Sequence, residues 1–62
     1  MTTRQKQGIE IRQLRNALDM TRTDLAKKWG VSVEWIKSIE LGRRESRPWM
    51  IQNLRGILEG RE

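Results

Sequence analysis

From Ile9 onward the apolar residues recur at spacings of three and four, the rhythm of a helix that hides one face. Ile11, Leu14, Ala17 and Leu18 continue it and predict an amphipathic helix of about ten residues that ends around Asp19. The stretch before it, Met1 to Gln7, is polar and has no apolar face, so residues 1–8 read as a disordered basic N-terminal arm. A second helix is announced by Thr21, an N-cap with Asp24 three residues on, and by Met20 and Leu25 placed as a hydrophobic staple. Leu25, Ala26 and Trp29 form its inner face, and Gly30 supplies the left-handed residue that ends it. Ser32 caps a third helix, with Val31 and Ile36 repeating the staple. At 100° per residue, Ile36, Ile39 and Glu40 fall on its inward side, and Val33, Glu34, Lys37, Ser38 and Leu41 on the opposite arc. Gly42 stops it.

After a polar loop, Arg43 to Arg47, Pro48 suits the first turn of a last helix, where a missing N–H is not needed. Met50, Ile51, Leu54, Ile57 and Leu58 give that helix a strong stripe; Gly56 weakens it by ~1 kcal/mol relative to alanine, and Gly60 ends it. Repeats, linkers and low-complexity segments are missing. The predicted architecture is all-α, a compact four- to five-helix bundle in one domain over residues 9–60. Within it, the helices on either side of Gly30 make a helix-turn-helix, whose second member stands out as a rod that fits the major groove of DNA.

Composition narrows the chemistry. Sixty-two residues lie near the lower limit for an unaided apolar core. The absence of cysteine rules out disulfides and zinc fingers, and the absence of histidine removes the commonest metal ligand and general base. The remaining acids, with serines and threonines at helix caps, form no catalytic constellation, so neither an enzyme nor a cofactor or metal site is expected. No run approaches the roughly eighteen apolar residues of a membrane span, and no apolar leader opens the chain, so a cytoplasmic, nucleoid-associated protein is expected.

The net charge is +5 and the isoelectric point about 10.8, which points to a polyanionic partner. The distribution says more than the sum. Positive excess sits at Arg4 and Lys6, at Arg22, Lys27 and Lys28 against Asp24, and at Arg43, Arg44 and Arg47 against Glu45. The third helix carries Lys37 against Glu34 and Glu40. Basic segments thus flank an almost neutral rod, as they would if phosphates were neutralised on either side of it. Solvated surface charge is the plainer alternative.

The string Ile11-Arg12-Gln13-Leu14-Arg15, then Met20 to Ala26, Gly30-Val31-Ser32, Ile36, Ile39-Glu40-Leu41-Gly42-Arg43-Arg44 and Pro48 resembles the lambda-repressor-like, Cro/cI-type (XRE) helix-turn-helix family over roughly residues 9–58. The resemblance implies a helical bundle that binds a double-stranded DNA operator, usually as a transcriptional regulator of bacteria, phage or mobile elements. Repression by occluding a promoter is the expected action. It implies that Ser32, Val33, Glu34, Lys37 and Ser38 read bases, and that Thr21, Arg22, Arg43 and Arg44 hold the DNA backbone. Arg15 and Glu40 match a structural ion pair between the first helix and the recognition helix. The chemistry suits readout: Glu34 can accept from cytosine N4, Lys37 can donate to guanine, and Val33 can touch a thymine methyl.

Three departures stand against the pattern. A fifth helix, used by many members for packing or dimerisation, is expected to be missing or vestigial, so a homodimer should be weak or DNA-assisted. Trp35 replaces a small polar residue, with packing under the loop before Pro48 favoured over a place along the sugar-phosphate strand. Trp49 adjoins the basic loop and also reads as packing; if exposed, the tryptophans imply a protein-facing surface. The alternative function is therefore a helix-turn-helix scaffold used as a protein-interaction module with a regulatory partner, of antitoxin or anti-repressor type.

Overall fold

The first helix begins at Thr3, well before the apolar rhythm starts, and it corrects the expectation of a disordered arm over 1–8. The computed structural model describes residues 1–60; Arg61 and Glu62, which complete the charge pattern, lie outside them. Four helices follow in order: α1 (Thr3–Ala17), α2 (Arg22–Trp29), α3 (Val33–Glu40) and α4 (Pro48–Leu58), with no strand among the described residues. The Cα radius of gyration, 10.7 Å, matches the about 10.6 Å expected for a globule of this length.

Three contacts hold the early turns of α1, one local and two tertiary. Thr2 accepts a hydrogen bond from the Gln5 N–H at 3.2 Å, and the Gln5 side chain accepts from the Thr2 N–H at 2.9 Å, a reciprocal capping box. Gly8 is buried where α1 meets the end of α3. A Cβ there would stand 2.7 Å from the Glu40 carbonyl oxygen and closer still to that of Ile39. The backbones touch, and only glycine fits. Gln7 adds a hydrogen bond with the buried Ser46 hydroxyl, 3.1 Å away. These contacts outweigh Arg4 and Lys6, whose charges oppose the helix dipole at this end.

At its other end α1 closes with a left-handed residue that is not glycine. Asp19 has φ 55°, the Asp19 N–H donates to Asn16 O at 3.0 Å, and the Met20 N–H donates to Arg15 O at 3.0 Å. This is the paired 5→2 and 6→1 bonding of a Schellman cap. The same cap recurs after α3, where Gly42 has φ 77° and Arg43 N–H reaches Ser38 O at 2.9 Å.

The core lies where α1, α3 and α4 converge and α2 packs on α3. Ile11, Leu25, Ala26, Ile36, Ile39, Met50 and Leu54 are buried, and Leu14, Leu18, Met20, Trp29, Val31, Trp35 and Ile51 pack against them. Burying one large aliphatic side chain contributes about 1.5–3 kcal/mol. The six that are fully buried therefore dominate the stability of a domain this small. Three positions of the expected stripes turn outward: Ile9 and Ala17 are exposed on α1, and Leu58 is exposed on α4. The buried row of α1 runs instead through Gly8, Ile11 and Arg15.

The start of α2 shows how tightly the local code is written. The Thr21 hydroxyl accepts from the Asp24 N–H at 3.0 Å, and the Asp24 carboxylate accepts from the Thr21 N–H at 3.0 Å. The bond from the Thr21 backbone N–H, then that with its side chain, holds the Asp24 carboxyl below the usual carboxylate range, with Lys27 nearby adding to it. A lowered native value means that this stabilisation is complete above about pH 4 and fades as the pH falls through the native value. Asp24→Asn keeps an acceptor but cannot titrate. Its melting temperature is expected to decline less steeply than that of the parent between neutrality and pH 2. Parallel curves would show that the cap does not respond to acid.

Candidate nucleic-acid interface

Helix α3 divides cleanly into two faces. Ile36 and Ile39 are buried in the core and Glu40 lies with them, 6% exposed. On the other side Val33, Glu34, Lys37 and Leu41 are exposed and Ser38 is half-buried. Ser32 caps the helix, its hydroxyl oxygen accepting from the Trp35 N–H at 3.1 Å, which leaves the hydroxyl hydrogen as a donor toward solvent. The expected base-reading positions, Ser32, Val33, Glu34, Lys37 and Ser38, thus share one accessible arc with donor, acceptor and apolar groups.

The turn that carries α3 is set by Gly30, at φ 69°, with the Gly30 and Val31 N–H groups both directed to Ala26 O. A β-carbon would strain that left-handed backbone. Thr21 is exposed at the N-terminus of α2, with its hydroxyl engaged by Asp24 within the cap. Arg43 and Arg44 are exposed just past α3. Lys27 and Lys28 lie in the last turn of α2, where the helix dipole favours them irrespective of any partner.

Under this surface sits a cluster of three charged side chains. Arg15 Nε donates to Glu40 Oε2 at 2.7 Å and Arg15 Nη2 to Glu40 Oε1 at 3.3 Å, while Arg15 Nη1 donates to the Met20 carbonyl at 2.8 Å. Arg22 then donates from Nε to Glu40 Oε1 at 3.1 Å. Arg15 and Glu40 are thus brought together in the interior. Arg22 is half-buried, with the Nε edge of its guanidinium engaged by Glu40. Among the described residues no buried side-chain nitrogen or oxygen lacks a partner.

The tryptophans separate. Trp35 is half-buried against the core. Trp29 donates from Nε1 to Asn53 Oδ1 at 3.1 Å and meets Trp49 edge-on, ring centres 5.2 Å apart and planes at 73°. Trp49 is 49% exposed, so part of that indole stays open to solvent. A separate ion pair, Glu10 with Arg55, ties α1 to α4 on the surface.

Neither the Arg22–Glu40 contact nor the Gly8 crossing is visible in the apolar rhythm. Thr2 with Gln5 three residues later is a capping-box signature and would have marked the true start of α1. The described residues include no group of histidine, cysteine, aspartate or glutamate that could hold a metal ion, and no helix long and apolar enough to cross a membrane.

Fold and surface together define a small all-α protein built around a helix-turn-helix. The model of the helix-turn-helix domain family matches residues 8–58, and the chain belongs to that family. It is accordingly a DNA-binding protein of the transcription-regulator type. No curated protein and no solved structure matches the chain.

Proposed function

We propose that the chain recognises a specific double-stranded DNA sequence by laying α3, capped by Ser32, into the major groove, and that it acts as a small Cro/cI-type repressor of a bacterium, phage or mobile element. The observation that carries this reading is the accessible arc of α3, backed by a buried opposite face and flanked by the exposed Arg43 and Arg44. Ser32, Val33, Glu34, Lys37 and Ser38 read base edges; Thr21, Arg22, Arg43 and Arg44 grip phosphates and fix the register. Glu34 is repelled by phosphate, so it weakens non-specific complexes and sharpens the choice of site. Should two copies bind together, their α3 helices sit ~34 Å apart and the site is a pseudo-palindrome.

Selection from random duplexes with purified protein tests the reading, and the symmetry of the recovered site reports how many copies bind. Arg44→Ala is then expected to weaken binding to every sequence about equally and to lower the salt slope by about one unit. Glu34→Ala is expected to relax the preference at one base pair. Identical effects of the two changes on selected and random DNA would sink the division into readers and clamps. Recovery of no preferred duplex, with salt-insensitive binding to a protein instead, would favour the module reading, for which the half-exposed Trp49 is the natural contact.

A further inference from the structure

We infer that Glu40 does more than fasten α1 to α3: it aims Arg22 at a backbone phosphate, forming a carboxylate–guanidinium–phosphate bridge when DNA is bound. This rests on the DNA-binding reading above and adds a positioning residue to it.

The argument begins with the donors. Arg15 is 8% exposed and uses Nε, Nη1 and Nη2 inside the protein, so it has nothing to offer a ligand. Arg22 uses Nε alone, and its side chain is 34% exposed beside the exposed Thr21 cap. Its two terminal amino groups make no hydrogen bond among the described residues. A guanidinium is a planar fork, so fixing the Nε edge also fixes the direction of the terminal edge, the one that binds two phosphate oxygens side by side.

Charge decides whether such a held arginine still attracts an anion. A private carboxylate would cancel most of the attraction of Arg22. Glu40, however, is shared with Arg15, and the cluster of two guanidinium groups and one carboxylate keeps one net positive charge. That charge resides at the exposed end, on Arg22. The arrangement therefore restrains the side chain without neutralising it, and the entropy of ordering a long arginine is lost on folding rather than on binding.

The test compares Arg22→Lys and Arg22→Gln with the parent on the selected duplex over a range of salt, with circular dichroism confirming that each is folded. Lysine keeps the charge but lacks the fork. Arg22→Lys is expected to keep the salt slope and lose about tenfold in affinity, whereas Arg22→Gln loses both affinity and about one unit of slope. Glu40→Gln supplies the second arm: in that background, changing Arg22 to lysine is expected to add almost nothing. Should Glu40→Gln not fold, Glu40→Asp, which keeps the charge but draws the carboxylate away from Arg22, takes its place with the same expectation, and a full further loss from Arg22→Lys in that background overturns the role of Glu40. Parent-like affinity for Arg22→Lys overturns the bridge while leaving DNA recognition intact. Parent-like binding by Arg22→Gln removes Arg22 from the interface altogether. Failure of the parent to bind any duplex overturns the DNA reading itself, a different and distinguishable result.

Discussion

Glu40→Ala is expected to unfold the protein at or near room temperature, with a loss of about 3–5 kcal/mol in folding free energy read from urea denaturation. The magnitude follows from what is left behind. Without the carboxylate, Arg15 would remain 8% exposed with its Met20 carbonyl contact and no counter-charge, and Arg22 would face it as a like charge. A domain of 62 residues has a total stability of only about 3–9 kcal/mol at ~0.05–0.15 kcal/mol per residue. The loss is comparable with the whole. Arg15→Ala should be milder, because Arg22 still accompanies the carboxylate. Equal effects of the two substitutions would show that the sharing of Glu40 has no energetic consequence.

The second large effect is expected at Gly8. Alanine is the better helix former by ~1 kcal/mol, so a helix considered alone would gain from Gly8→Ala. Here the new methyl group would meet the carbonyl oxygens of Ile39 and Glu40, which belong to the last turn of α3 and cannot swing aside as a side chain would. Either α1 retreats, opening the packing around Ile11, or α3 shifts; overpacking of this kind costs about 1–3 kcal/mol, and backbone on both sides puts Gly8 at the upper end. Gly56→Ala is the internal control. That glycine is also helical, and a Cβ there meets nothing within 4 Å, so the substitution should raise the melting temperature by about 4–8 °C. A stabilising Gly8→Ala would mean that α1 and α3 do not cross this closely in solution.

Much of the fold was legible because its signals are local. Thr21, Gly30, Ser32, Gly42 and Pro48 mark helix ends by their own backbone and capping chemistry, and the structure places α2, α3 and α4 between them. The inward set Ile36, Ile39 and Glu40 follows from helical period alone. The early turns of α1 are only half legible: the Thr2–Gln5 capping box is a local signal, but Gly8 carries no hydrophobic signal, and its value appears only when α3 lies across it. Arg22 illustrates the same limit. Its position at the first turn of α2 was readable, but the attachment to Glu40, eighteen residues on, depends on how two helices cross. Leu58 shows the converse, since a strong apolar rhythm overran the region where α4 has a neighbour.

The edge-to-face indoles of Trp29 and Trp49 also shape how this protein looks to a spectrometer. With no tyrosine or phenylalanine in the chain, every aromatic transition belongs to three indoles, two of them close enough to couple electronically. Their shared chiral signal overlaps the bands by which helix content is ordinarily estimated, so far-ultraviolet spectra of this chain carry a term that no backbone generates. That same term reports directly on whether the tips of α2 and α4 remain in register.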